Sequence, residues 1–450
     1  MSFWKAVADK PPGRILVTPT IQEPNDDHGS NVLSPGFLLG TIESHKAILG
    51  VDGSVSYMKP RAKPMSPRSV SSSGSQIHIS SFQPNHHRVV SGQVSPASSI
   101  KAAPDCLSNS PRTSGTPSPI LHPKSSKKVK VVAVLDAATV DIDDLKKLAW
   151  GGLSPNQRAL SWKLLMGYLP AARDRRDSVL LRKRKEYQIL RQTLFEGTCP
   201  EDQDPELWHQ ITIDIPRTNP SLSLFQQPQI RQCLERILYC WSVRHPASSY
   251  VQGINDLATP FLATFLQEHL PEEQLAEDAS DLDMISPQIW EEIEADTFWC
   301  FSKLLDGIQD NYTSGQRGIQ RQLGLMKYLI GRIDKQLAAH IENESLHYVQ
   351  FAFRWMNCLL MREFPFSHIL RLWDAYMSES PNGFSDFHVY VCASFLVKWS
   401  PKLLKMEFQD MIMFLQRLPT EKWTFADIEL LLSEAYMWHS LFHNAPSHLI

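Results

Sequence analysis

Ile230-Arg231-Gln232-Cys233-Leu234-Glu235-Arg236-Ile237-Leu238-Tyr239-Cys240-Trp241 is the stretch on which the fold class turns. Its apolar residues Ile230, Cys233, Leu234, Ile237, Leu238 and Trp241 recur at the spacing that lines one face of an α-helix. The same period runs outward in both directions. Upstream, Ser154-Pro155 reads as an N-cap with proline in the first turn, opening a helix to about Met166 that Gly167 and Pro170 close. Downstream, Thr424 precedes a helix over 425–438 in which Ile428, Leu431, Leu432, Ala435 and Tyr436 share a face. Further helices are predicted over 177–194, 252–269, 287–305, 316–329, 346–362, 366–377 and 386–399. No alternating β-branched run competes with them, and no repeat of fixed period is evident. Residues 272–283 read as an exposed acidic loop. The expected fold is an all-α body of about 300 residues, large for one bundle and so arranged as two helical lobes.

The chain ahead of that body has a different character. About 37% of residues 1–130 are Ser, Pro or Gly, and no apolar period is sustained. Such a stretch buries too little surface to offset its ordering entropy, so residues 1–140 are read as a disordered tail. Residues 1–130 carry a charge of about +8 and the rest about −11, an asymmetry hidden by the overall −3. Thr18-Pro19, Ser34-Pro35, Ser66-Pro67, Ser95-Pro96, Ser110-Pro111, Thr116-Pro117 and Ser118-Pro119 each offer an acceptor to a proline-directed kinase. Added negative charge would then switch the binding of signalling or adaptor proteins. The alternative is that Ser and Pro are ordinary linker composition. Phe3 and Trp4 read either as a docking pair or as isolated aromatics, and Lys127, Lys128 and Lys130 as a solvated linker end.

Composition excludes several classes. A net charge of −3 lacks the basic footprint that nucleic-acid binding requires. The seven cysteines are odd in number and form no C-x-x-C pair, which suits reduced thiols better than disulfides or a zinc site. After Met1-Ser2-Phe3-Trp4-Lys5 only Ala6-Val7-Ala8 is apolar before Asp9-Lys10, so no signal peptide is expected. The longest apolar run, from Leu257 to Leu266, is too short for a bilayer and contains Pro260. The expectation is a soluble, intracellular protein with no transmembrane segment. There is no P-loop, G-x-G-x-x-G, nucleophile elbow or H-E-x-x-H. His439 and His443 would share a helix face, but no third ligand accompanies them at a motif spacing, so no metal is expected.

Two short segments carry more. Ile211-Thr212-Ile213-Asp214-Ile215-Pro216-Arg217-Thr218 and Ser249-Tyr250-Val251-Gln252-Gly253-Ile254-Asn255-Asp256 each lie between helices or at a helix start. A rigid scaffold presents functional groups at such places. Taken singly, Arg217 reads as a salt-bridge partner of Asp214, and Gln252 as a polar residue satisfying a helix start. Taken together, Ile211-x-x-Asp214-x-x-Arg217 followed by Tyr250-x-Gln252-Gly253 resembles the two catalytic motifs of TBC-domain Rab GTPase-activating proteins. Arg158-x-x-x-Trp162, following Trp150-Gly151-Gly152-Leu153, is similar to that family's opening motif. Phe298-Trp299-Cys300-Phe301, Arg354-Trp355, Arg362-Glu363 and Arg371-Leu372-Trp373-Asp374 resemble its later segments. The resemblance covers residues 148–450 and is closest to the yeast Gyp-type subgroup and its animal and plant relatives.

The resemblance implies a GTPase activator, a regulator rather than an enzyme. Its partner would be a Rab-family small GTPase in the GTP-bound state, which carries GTP and Mg²⁺ itself, so the chain needs no cofactor. Arg217 would enter the partner's site as an arginine finger, and Gln252 would orient the attacking water in trans. The neighbours read as support: Asp214 holds the Arg217 loop by local hydrogen bonds, and Tyr250 belongs to the same motif. Gly253 permits close backbone approach, while Asn255 and Asp256 cap or pin the following helix. Arg158 and Trp162 read as a packed pair. Phe364-Pro365-Phe366-Ser367-His368 and the acidic loop depart from the family pattern without touching Arg217 or Gln252. The rival within the fold is a catalytically silent Rab-binding scaffold with a phosphoregulated tail. The partner class implies a cytoplasmic protein working peripherally at endomembranes, with the Golgi indicated by the subgroup.

Overall fold

In the computed structural model, residues 47–49, 55–57, 123–195, 204–271, 274–278 and 282–443 are described. The chain divides into residues 1–118 and 119–450. In the first unit the described backbone is one short antiparallel pair, β1 (Ala47–Leu49) with β2 (Val55–Tyr57). The reading of residues 1–140 as structureless is amended there and, more substantially, at its C-terminal end. The Ser-Pro and Thr-Pro pairs and Phe3-Trp4 lie outside the described residues.

The second unit is built from α1 (Pro123–Leu135), α2 (Ile142–Trp150), α3 (Pro155–Leu165), α4 (Arg176–Phe195), α5 (Pro205–Asp214), α6 (Pro228–Arg244), α7 (Ile254–Gln267) and α8 (Pro287–Gly307). It continues with α9 (Arg317–Ile333), α10 (Lys335–Asn343), α11 (Val349–Asn357), α12 (Phe366–Ser378), α13 (His388–Val397), α14 (Ser400–Leu403), α15 (Phe408–Gln416) and α16 (Phe425–Phe442). Among its described residues the one strand-like pairing is an isolated bridge between Thr139 and Ala172. In the first lobe α7 packs on α3, α6 and α8, with α4 against α8 and α5 against α6; in the second α13 packs on α9, α11 and α16. Helix α7 is buried along its whole length, which explains the long apolar run that contains Pro260.

Helix α1 moves the start of the helical unit back from residue 140 to residue 123. Val131 and Leu135, one turn apart, are buried against α2 and α3. Lys127 is half-buried and donates from Nζ to the Gly152 carbonyl at 2.8 Å, so it is not a solvated linker end. Gln157 Nε2 donates to the Lys128 carbonyl at 2.9 Å. The lysines had masked an apolar spacing that serves one face only.

Helix starts follow local chemistry. Asp141 caps α2 by accepting from Asp143 N and Asp144 N, and Asp204 caps α5 by accepting from Glu206 N and Leu207 N. Thr424 and Asp427 form a capping box on α16. Ser154 holds the N-cap position of α3 but donates instead to Gln157 Oε1 at 2.9 Å.

Several expected boundaries shift. The helix predicted over 346–362 stops at Asn357, because buried Leu359 and Leu360 adopt φ of +48° and +60°. The one predicted over 386–399 begins with a π-turn at Gly383–Phe387 and becomes α-helical at His388. Helices α2, α5, α10 and α15, none longer than ten residues, were not legible as periods. The acidic loop is not simply exposed, since Ala276 and Leu282 are buried. Gln267 ties its near end, donating to Gln274 O and accepting from Ala276 N, both at 2.8 Å.

Candidate functional site

Asp214, the last residue of α5, begins the site. Pro216 has no N–H to extend the helix, so the chain tightens into a 3₁₀ turn, Ile215–Arg217. Thr218 closes that turn: its N–H donates to Ile215 O at 3.0 Å and its hydroxyl to Asp214 O at 3.1 Å. Arg217 emerges from this turn exposed. Its guanidinium makes no hydrogen bond or ion pair with a described residue, although its charge acts on the Asp214 carboxylate. The salt bridge that would have made it structural is therefore not formed.

The second segment folds onto the first. Tyr250 donates its buried hydroxyl to Asp214 Oδ2 at 3.0 Å, and Gln252 Nε2 lies 3.4 Å from Asp214 Oδ1. Asn255 donates to Thr218 Oγ1 at 2.8 Å and accepts from Gly253 N at 2.9 Å. Asp214 thus bridges the two motifs, where a purely local role had been expected. The Gln252 contact is long enough to be weak, and its side chain is exposed. A weakly held, exposed amide can leave Asp214 at little cost.

Electrostatics reinforce this geometry. Burial pushes the Asp214 carboxyl above its ordinary range, opposed by the Tyr250 hydroxyl and then by the charges of Arg217 and Arg362. Burial, and then the Asp214 charge, push the Tyr250 phenol far up, so it stays a donor. Asp256 pins the start of α7 to the second lobe by pairing with Arg362 Nε at 2.7 Å. The Asp256 charge is the largest cause raising the Arg362 guanidinium further above its ordinary value.

Gly253 is required twice over. Its φ is +108°, and a Cβ there would lie 2.9 Å from Cys358 Sγ and closer still to the Asn357 amide. Burial raises the Cys358 thiol to about 12, so this wall of the turn is neutral. Asn357 Nδ2 donates to Gln252 O at 3.0 Å. The sequence reading missed Asn357 and Cys358, for nothing local marks a contact across 105 residues.

Arg158 and Trp162 are placed elsewhere. Both bind the fully buried Asp374 of α12: Arg158 Nε and Nη2 at 3.0 Å each, and Trp162 Nε1 at 2.8 Å. Leu153 N donates to the same carboxylate at 2.9 Å. They are more than the packed pair expected from one-turn spacing, and they fasten α3 to α12 without touching Arg217 or Gln252. Trp373 continues the seam, 6.0 Å from the Trp162 ring and 5.4 Å from Phe261. His439 packs edge-on against Phe387 and Tyr390. Among the described residues no three His, Cys, Asp or Glu side chains are grouped to hold a metal.

A helical body that presents an unpaired arginine and a glutamine from two stitched loops matches one family. The Rab-GTPase-TBC domain model fits residues 155–404, and the chain belongs to that family. Among its relatives, the GTPase-activating protein gyp1 of Schizosaccharomyces pombe is 50% identical over 325 residues, spanning 72% of this chain and 63% of that protein. The TBC1 domain family member 22B of Homo sapiens is 48% identical over 336 residues, spanning 74% and 65%. The chain therefore matches just under two thirds of the length of these curated relatives. The crystal structure of the Ypt/Rab-GAP domain of Gyp1p aligns with a TM-score of 0.68 at 48% identity, covering 70% of this chain and 98% of that one. No described helix is long and apolar enough to cross a membrane.

Proposed function

We propose that this chain accelerates GTP hydrolysis on a GTP-bound Rab-family small GTPase, supplying Arg217 and Gln252 in trans. One observation carries the reading: both side chains are exposed, and their backbones are bound into one buried network through Asp214, Tyr250, Asn255 and Thr218. A free guanidinium on a fixed loop suits the charge that builds on a transferring phosphoryl group. Such an arginine contributes about 10³–10⁵ in rate, or roughly 4–7 kcal/mol of barrier. The Gln252 amide both donates and accepts, as orienting a water requires. The nucleotide and Mg²⁺ belong to the partner, and the chain completes no reaction of its own. Control of vesicle traffic at an endomembrane surface, the Golgi among the candidates, follows from that partner class.

Single-turnover GTP hydrolysis across a panel of Rab proteins tests this, with the chain as wild type, Arg217→Ala or Gln252→Ala. Acceleration of one or a few members, lost in each variant, is the expected result. Binding without acceleration by the wild type would replace this reading with that of a silent Rab-binding scaffold.

A further inference from the structure

The Gln252–Gly253 peptide is gripped at both ends by asparagine side chains from different lobes. Asn255 Oδ1 accepts from Gly253 N at 2.9 Å, and Asn357 Nδ2 donates to Gln252 O at 3.0 Å. Asn357 is itself fixed, 5% exposed, with its carbonyl accepting from the Tyr312 hydroxyl at 2.8 Å. The left-handed Leu359 and Leu360 then turn the chain back so that Arg362 meets Asp256 at 2.7 Å. Two consecutive leucines in that region are unfavourable and persist only where the surroundings impose them. Here the turn brings two polar side chains onto the start of α7 together.

We infer that Asn357 is a positioning residue for Gln252: it locks the orientation of the peptide that carries the glutamine. Turn types differ chiefly in how the central peptide faces, and glycine tolerates either orientation. Rotation of the Gln252–Gly253 peptide would break both asparagine bonds at once. The Asn357 Oδ1 atom is buried with no hydrogen-bond partner. Packing alone would favour an apolar residue there, so the residue is explained by its donor. Asn357 touches neither the exposed face of Gln252 nor Arg217, so it acts through the peptide.

The inference rests on Gln252 acting as proposed above, and the experiment separates the two. Saturating single-turnover rates and half-saturating GTPase concentrations are measured on the full chain for Gln252→Ala, Asn357→Asp and the double variant. Asn357→Asp keeps the shape and removes the donor. It is expected to lower the saturating rate by about ten- to a hundredfold, the cost of a small misplacement. The half-saturating concentration stays unchanged, and the substitution costs nothing further in the Gln252→Ala background. Multiplying losses, a loss confined to the half-saturating concentration, or a full rate in Asn357→Asp would overturn the inference alone. A full rate in Gln252→Ala would overturn the underlying reading and this inference with it. Asn357→Ser, uncharged and too short to reach the carbonyl, repeats the test if the first variant does not fold.

Discussion

Replacing Asp374 with alanine is expected to destabilise the helical unit by about 3–5 kcal/mol, the usual cost of stripping one partner from a buried ion pair. The carboxylate is fully buried and takes four donors, from Leu153 N, Arg158 Nε, Arg158 Nη2 and Trp162 Nε1, all within 3.0 Å. Without it Arg158, only 11% exposed in its side chain, keeps one bond, to Leu153 O at 2.9 Å. The indole and the Leu153 amide become orphaned donors, each costing about 1–3 kcal/mol. Relaxation overlaps with the first loss, so these push the total toward the upper end and do not add in full. Against a total stability of about 5–15 kcal/mol the variant is badly compromised. Urea unfolding followed by circular dichroism reads the change, with Arg158→Met and the double variant completing a cycle. The double variant should be less damaged than the summed singles by about 0.5–3 kcal/mol. A loss below about 1 kcal/mol for Asp374→Ala, or strict additivity, would refute the clamp as an energetic unit.

Asp214→Asn should keep the Tyr250 bond through its oxygen and turn its nitrogen toward Gln252, whose exposed amide can rotate to present its oxygen. The expected outcome is a saturating GTPase-activation rate within about tenfold of wild type; a loss of about a hundredfold or more would refute the reading of this contact as weak. Gly253→Ala should lower stability by about 1–2 kcal/mol or more from its φ alone, with a further penalty against Asn357 and Cys358. Chemical denaturation checks it, and a neutral result would rule out the turn geometry. Asp296, buried in α8 and paired with Lys163 Nζ at 3.0 Å and Arg184 Nη2 at 2.8 Å, predicts a pH dependence. Burial pushes its carboxyl up, but the Arg184 hydrogen bond, the Lys163 and Arg184 charges and the Tyr168 hydroxyl outweigh that and hold it below 3.8. A depressed folded value means stabilisation present above 3.8 and lost as pH falls through the folded value. The stability gap between wild type and Asp296→Asn should be full at neutral pH and close as pH drops below 3.8. A gap independent of pH would contradict the pairing.

Much of the candidate site was legible in the sequence. Arg217 and Gln252 were singled out by motif order, and both are exposed at the ends of rigid elements. Asp214 was placed in the same motif but given too local a role, because spacing along a chain does not report which loop a carboxylate faces. Arg158 and Trp162 were grouped by one-turn spacing, yet their partner is Asp374, over 200 residues away. The acidic loop looked solvated from composition, whereas Gln267 and the buried Ala276 hold part of it down.

What the sequence determined by itself is everything governed by local period and local chemistry. That covers the helical class, the long amphipathic helices, the Thr424 cap and the two candidate residues, Arg217 and Gln252, that motif order singles out. Short helices such as α2 and α5 escaped, since ten residues or fewer hold too few turns to show a period. Tertiary structure alone decided where α11 ends, because only packing imposes a left-handed backbone on Leu359 and Leu360. It alone decided that Asn357 meets the Gln252 carbonyl and that Arg362 meets Asp256. The reason is physical: a hydrogen bond between residues a hundred apart depends on how two lobes pack, and that information is spread over the whole core rather than written at either end of the bond.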